Sequence, residues 1–483
     1  MKRVATIFSV LLASCLAKAQ SDIDALRYSR LDFGGTARFN AMGGAFGALG
    51  GDFSSLSTNP AGIAIFRKSE ISFSPSFYNA NTNSIFNGSS SADGKANFNF
   101  GNAGLVLAGH NDENDQSDWR GFAFGVGYNR MANFHNRISV EGVNNRSSMI
   151  DLWLGEANSL GTDTDSFDQF GTALAYSTGL IRRPSSSSPN YYSIIPNYGE
   201  TQTKTVESSG AIGETVISLG GNYRDKLYIG GTFGFPRIHY DETTSHTETV
   251  TNDTTYYLDH FTYSSSLTTR GSGFNFKFGM IMKPVEWLRI GAAFHSPSYF
   301  RLTDQYSNSM TVVYNYSGGT YTSDSPSGSY DYNLTTPMRA IGSLAFIYKN
   351  LGLISVDYEY VDYSTASFHA VDYPFSYENK AIRNKYTATG NIRTGLEVKL
   401  SPFSLRAGYA YYGSPYRTGV NAGGSKQSIC FGLGYRGEGF YVDAAFVHSM
   451  MSEDYYLYDP TIIDAAHNSF SANTIMFTLG IKY

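Results

Sequence analysis

Thr474-Ile475-Met476-Phe477-Thr478-Leu479-Gly480-Ile481-Lys482-Tyr483 carries a large apolar residue at every second position counted back from Tyr483. Side chains of a strand point alternately to its two faces, so this period of two describes a strand with one face in an apolar medium. A barrel wall between lipid and a polar lumen rewards that pattern, and a soluble edge strand can show it too. The aromatic at position 483 resembles the terminal signal of outer-membrane barrels.

Similar strands precede it in pairs. Phe440-Val442-Ala444-Phe446 follows Ile429-Phe431-Leu433-Tyr435 across Arg436-Gly437-Glu438-Gly439, and Leu405-Ala407-Tyr409-Tyr411 follows Ile392-Thr394-Leu396-Val398 across Ser401-Pro402. Residues 337–348 and 351–363 meet at Lys349-Asn350, 272–283 and 286–300 at Pro284, and 213–223 and 226–240 at Arg224-Asp225. With 70–79, 98–109 and 120–134 the total is about fourteen strands, each long enough to cross a bilayer at a tilt. The other connections are long and polar: near 80–97, 135–212, 241–271, 301–336, 364–389, 414–426 and 450–473. Short turns alternating with long loops predict an all-β membrane fold, an antiparallel transmembrane β-barrel with periplasmic turns and extracellular loops. A soluble sandwich or propeller explains the strands but not the asymmetry.

Composition agrees. Of 483 residues 15% are aromatic and 16% charged, against about 25% charged in a soluble domain. Beyond the N-terminus no run of about 20 apolar residues exists, which excludes a helical membrane protein. A net charge of −5 and a pI of about 6.0 argue against nucleic-acid binding. At the N-terminus, Lys2 and Arg3 precede the apolar stretch Val4 to Ala17 and the small-x-small site Ala17-Lys18-Ala19. Residues 1–19 are therefore expected to be a secretory signal peptide. Leu12-Ala13-Ser14-Cys15 also reads as a lipoprotein box, which would lipidate Cys15; a barrel needs no such anchor. Cleavage after Ala19 leaves Cys430 as the single thiol and no intrachain disulfide.

Residues 20–69 come before the first strand. They contain the glycine-rich stretch Gly34 to Asp52 and then Ser54-Ser55-Leu56-Ser57-Thr58-Asn59-Pro60-Ala61-Gly62-Ile63. A dinucleotide site is excluded, because no strand precedes the glycines and no βαβ unit follows. Glycine density suits a segment whose backbone approaches other backbone closely, as a plug inside a barrel does.

At these residues the chain resembles the FadL/TodX family of outer-membrane transporters of long-chain fatty acids and aromatic hydrocarbons. Asn59-Pro60-Ala61, followed by Gly62, matches the family's hatch signature. Trp287 to Pro297, Leu405 to Tyr411 with Ser414-Pro415, and Phe431 to Asp443 resemble later elements of the family in the same order. The Tyr and Asn content and long loops look like members from Bacteroidetes-type bacteria. The resemblance implies a fourteen-stranded barrel (70–483) and an N-terminal hatch (20–69) in a Gram-negative outer membrane. It also implies passive transport by a monomer that touches outer-membrane lipid and needs no cofactor. Ligands of the family enter a pocket above the hatch and leave sideways through a gap made by a kink in the third strand. Here that strand is 120–134, whose alternation breaks at Asn129-Arg130-Met131-Ala132-Asn133. Loss of the period fits a kink and fits an ordinary strand end equally. Filling the break, for example at Ala132, is expected to stop transport.

Strand parity turns Lys277, Arg289, Arg339, Asp357, Glu359, Arg393, Glu397, Lys399, Arg406 and Asp443 into the lumen. Mixed signs there form an ion network, within which Arg393 and Arg406 are the candidates for meeting a ligand carboxylate. Cys430 is expected to face inward too. Residues 148–180 have apolar positions three and four apart; they either pack on themselves or form a landing surface for ligands. No metal-ligand spacing, nucleophile elbow or phosphate loop is present, so the chain reads as a non-enzyme. A second functional reading is a plug-bearing barrel that acts as a protein-interaction partner in type IX secretion, with its outer loops as the binding surface.

Overall fold

The structure is a computed structural model and describes residues 21–111, 117–195, 197–250, 257–315 and 319–483. Residues 1–19, with Cys15, lie outside the described residues.

Fourteen strands form one closed antiparallel wall. They are β1 Glu70–Phe86, β2 Ser89–His110, β3 Trp119–Asn133, β4 Glu200–Tyr223, β5 Leu227–Thr249, β6 Leu258–Val285 and β7 Leu288–His295. Then follow β8 Arg339–Tyr348, β9 Gly352–Asp362, β10 Ala388–Leu400, β11 Phe403–Tyr412, β12 Lys426–Arg436, β13 Phe440–Tyr455 and β14 Ala466–Lys482. Each pairs with its sequence neighbours, and β1 pairs with β14 from Glu70↔Lys482 to Ile85↔His467. Closure pairs the strands all the way round the barrel, which suits an apolar layer where an unpaired backbone group costs several kcal/mol; the β2–β3 ladder stops early, ending at Asn102↔Asn129.

The alternation read from the C-terminus is the lipid parity. Ile475, Phe477, Leu479, Ile481 and Tyr483 are all exposed on the outside of the wall, and so are Ile429, Phe431, Leu433 and Tyr435. Cys430, between two of them, is fully buried on the inner face. Turns at one end are tight: Arg224 and Asp225 both take positive φ, as a two-residue hairpin turn requires. No helix among the described residues is long and apolar enough to cross a membrane.

Several boundaries differ from the sequence reading. The stretch 80–97 is not a loop: β1 and β2 run on through it to a tight turn at Asn87-Gly88. The β6–β7 turn falls at Glu286-Trp287, and Pro284 remains within β6. Much of 241–271 and 301–336 is also strand, with Tyr299–Tyr314 and Gly328–Thr335 continuing the wall beyond β6 and β8. These extensions are rich in Ser, Thr, Asn and Tyr on both faces, so they lack the apolar parity that betrays a lipid-facing strand.

In the longest connection, 148–180 folds as helices Ile150–Leu160 and Thr172–Ser177. Ile150, Trp153, Ala157, Phe167 and Leu174 are buried together with Leu258, Phe261, Met310 and Val312 of the strand extensions. The segment's buried apolar positions thus form a small core shared with the strand extensions.

Candidate functional site

Residues 21–66 lie among the inward-facing side chains of the wall. Their local structure follows from capping residues. Helix α1, Asp22–Ser29, opens with Ser21, whose backbone N–H donates to Asp24 Oδ2 at 2.9 Å. Helix α2, Ala37–Ala41, opens with Thr36, which accepts from Phe39 N–H. Two 3₁₀ turns, Phe53–Ser57 and Pro60–Ile65, start at Asp52 and Asn59, each side chain accepting from the backbone two residues on. Such oxygens satisfy the backbone donors that a helix start leaves free.

Asn59 does more than cap. It is fully buried, and its Nδ2 donates to Gly47 O at 2.6 Å and to Met280 O on β6 at 3.2 Å, with Ala292 O on β7 at 3.4 Å. A Cβ on Gly279 of β6 would stand 1.8 Å from Asn59 Oδ1, so the approach requires glycine there. Pro60 supplies the first position of the turn, where its missing N–H costs nothing. Gly62 packs against Gly50 and returns its carbonyl to Gly51 N–H at 3.0 Å.

Charged groups fix both ends of the segment. Toward the long loops, Lys385 Nζ lies 2.8 Å from Asp22 and Lys426 Nζ 2.6 Å from Asp32. Burial pushes the Asp24 carboxyl up to about 6, with Arg27 pulling the other way. Toward the short turns, Arg38 Nε donates to Glu397 at 2.9 Å. Arg406 reaches the same Glu397 and Asp443 at 2.7 Å each, and Arg436 meets Asp443 at 2.9 Å. Arg38, Glu397, Arg406, Asp443 and Arg436 thus form a chain of alternating charge between the segment and the wall.

Arg406 is therefore committed to two carboxylates, beside a polar recess at the short-turn end that also meets Lys399 and Lys482. Arg393 is different. It lines a central chamber with Tyr28, Phe33, Phe39, Lys277 and Arg339. Lys277 is paired with Glu214, and Arg339 with Glu359 at 2.7 Å. Arg393 Nη2 stands 3.4 Å from Glu359, while its Nε and Nη2 have no well-formed hydrogen bond although the side chain is only 6% exposed. Both arginines keep a buried nitrogen without a hydrogen bond among the described residues, and of the two it is Arg393 that lines the central chamber.

A second chamber lies against the wall between β12 and β3. Phe33, Val447, Ala472, Thr474 and Met476 line it, together with Arg130, Met131, Ala132 and Asn133 of β3. The four β3 residues fall where the wall is irregular. The β2–β3 ladder stops at Asn102↔Asn129, and the β3–β4 register shifts between Arg130 and Ala132. Arg130 Nε donates across the break to Phe100 O at 3.3 Å, and Asn129 is held inward by Asn102 and Ser57. Ala132 both lines this chamber and packs in a buried cluster with Tyr28 and Ile212, whereas Ala472 lines the chamber without belonging to that cluster, so enlarging Ala472 fills the chamber with less disturbance.

Only a thin partition separates the two chambers. Asp32, Phe33, Gly34 and Met131 line both. Asp32 N–H donates to Met131 O at 2.8 Å, and a Cβ on Gly34 would stand 1.9 Å from Arg130 O. Phe33 stacks on Tyr412 with ring centroids 6.4 Å apart. No signal in the local sequence could have linked residues 32–34 with 130–131, because their proximity depends on barrel closure. Among the described residues, no group of three or more His, Cys, Asp or Glu converges to hold a metal.

Solved structures share this architecture. A FadL homologue of Pseudomonas aeruginosa superimposes with a TM-score of 0.57 at 12% identity, covering 93% of this chain and 98% of that one. The Pseudomonas putida toluene transporter TodX gives 0.53 at 12% identity, with coverage of 94% and 99%. The Ralstonia pickettii toluene transporter TbuX gives 0.51 at 13%, with coverage of 93% and 99%. The sequence matches no family model and no curated protein. The fold is thus FadL-like, that of an outer-membrane β-barrel.

Proposed function

We propose that the protein is a passive outer-membrane channel for hydrophobic small molecules. In this reading, ligands are captured from outside, held in the central chamber, and released sideways at the break in β3. Residues 21–66 are the hatch that closes the barrel toward the short-turn end. The single observation that carries the reading is the pairing of an inner chamber with a second chamber that ends at residues 130–133, where the wall loses its ladder. The fold shared with transporters of toluene supports it.

The physical argument is one of solvation. A chain of 16 carbons gains about 0.8 kcal/mol per CH₂ removed from water. Delivery into the periplasm would return that chain to water; delivery through the wall keeps it in an apolar phase throughout. Passage between the chambers requires the Asp32–Gly34 stretch and Phe33 to move off Met131, which asks for one backbone hydrogen bond and one ring contact to be given up and for the Lys426–Asp32 ion pair to yield. Arg393 is suited to orient an acidic head group with its free donors.

The test is uptake of radiolabelled n-hexadecanoate and of toluene by cells whose own transporters of these compounds are deleted. Uptake of either above the empty-vector level supports the channel. Uptake of neither, with a secreted protein copurifying in stoichiometric amount, would favour the role in type IX secretion.

A further inference from the structure

The break in β3 continues outward as a seam. β2 pairs with β1 over its whole outer half, down to Ser89, yet pairs with β3 only from Asn102 to His110. The strand Asn136–Asn144 carries the wall on from β3 and pairs with β4 alone. Two neighbouring strand edges therefore face each other with no backbone ladder between them.

Side chains close the joint instead. Arg137 and Asp93 form an ion pair at 3.1 Å. Ser91 Oγ donates to Ser139 O at 2.5 Å, and Asn87 Nδ2 donates to Val143 O at 2.9 Å. Single contacts of this kind are each worth about 0.5–1.5 kcal/mol and less where exposed. These polar contacts can be broken one after another, whereas a ladder resists as a unit; at the outermost end Phe86 and Val140, buried in one apolar cluster with Leu457 and Ala466, add packing across the joint. A flexing line also exists. The β1–β2 register shifts at Ser74/Pro75, passing over Gly101, and β1 skips its β14 partners between Phe73 and Ser76. Both irregularities lie at the level where the β2–β3 ladder ends.

We infer that the seam between β2 and Asn136–Asn144 is the moving part of the side exit: β2 swings away from that strand about the Pro75–Gly101 line and widens the break for a departing ligand. The inference rests on the proposed lateral release and adds a mechanical element to it.

The test pairs Ser91→Cys with Ser139→Cys in a Cys430→Ala background, joined by a short bis-methanethiosulfonate that dithiothreitol reverses. Crosslinking should lower n-hexadecanoate uptake at least tenfold, and dithiothreitol should restore it. Thr244→Cys with Ser265→Cys, within the unbroken stretch of the β5–β6 ladder from Arg237↔Ser272 to Thr249↔His260, should leave uptake unchanged when crosslinked. Undiminished uptake through the crosslinked seam overturns the inference. Ala472→Trp separates the two levels: if it blocks uptake while the crosslink does not, lateral release stands and the moving seam falls; if neither blocks, both fall. Spin labels on the same two cysteines, in outer-membrane lipid vesicles, give a readout that needs no substrate. Two distance populations support the opening, and one short population with and without n-hexadecanoate overturns it.

Discussion

Arg393 and Arg406 lie on neighbouring strands with the same inward parity, and their partners give them different work. Arg406 is enclosed by Glu397 and Asp443, so its removal leaves buried carboxylates short of a counter-charge. Arg406→Leu is expected to destabilise the barrel by up to about 3–5 kcal/mol, read as a lower urea midpoint, with no preference between ligands. Arg393 has donors to spare in the central chamber. Arg393→Leu should weaken binding of n-hexadecanoate by roughly 10- to 150-fold, the loss of about 1.5–3 kcal/mol for a hydrogen bond to a charged group. It should leave binding of hexadecan-1-ol nearly unchanged; titration calorimetry with both ligands checks the contrast. Strand parity alone made both arginines inward-facing. It could not say which was held between two carboxylates, because Asp443 and Arg38 come from distant parts of the chain. At the same scale, Asn59→Leu removes a cap and three carbonyl contacts. The cap is worth about 1 kcal/mol, and the buried Gly47 carbonyl, which loses its donor while Met280 and Ala292 stay in their ladders, costs about 1–3 more. The variant should show a lower unfolding temperature and, if residues 21–66 close the lumen, raised ion conductance in planar bilayers.

Among the elements, what could be read in advance depended on whether one face met lipid. The strands around Ile392, Leu405, Ile429 and Phe440, and the C-terminal one, stood out because outward positions are large and inward ones small or charged. The outer hairpin 80–97 was missed because Asn81, Asn83, Ala92, Gly94 and Ala96 face outward there with no apolar signal. That omission hid the seam. The helical period in 148–180 was legible, but its destination was not: the partners Phe261 and Met310 belong to strands more than one hairpin away. For residues 21–66, the Asn-Pro-Ala turn was visible, while the register of Gly34 against Arg130 was not. If this element is a hatch, deleting residues 21–66 should raise permeation of small hydrophilic solutes in liposome swelling severalfold. An unchanged swelling rate would show that the lumen is closed by something else.

At the scale of the whole molecule, the barrel combines two opposed requirements. Its wall must leave no backbone unpaired in lipid, yet a side exit needs a place where the wall gives way. At residues 129–133, where the β2–β3 ladder has ended, side chains take over part of the joint: Arg130 Nε donates to Phe100 O and Asn102 Nδ2 to Asn129 Oδ1, which would let the proposed exit sit in a wall whose edge is still hydrogen-bonded. The central claim is that a hydrophobic ligand leaves through this place. Uptake of n-hexadecanoate by cells carrying Ala472→Trp tests it most directly, measured beside the amount of folded protein in the outer membrane and the affinity of the purified variant. Filling the side chamber while the central chamber is untouched should cut uptake at least tenfold, with folding and binding as in the parent. Uptake at the parental rate, in a variant whose indole is seen to occupy the chamber, would contradict the lateral route.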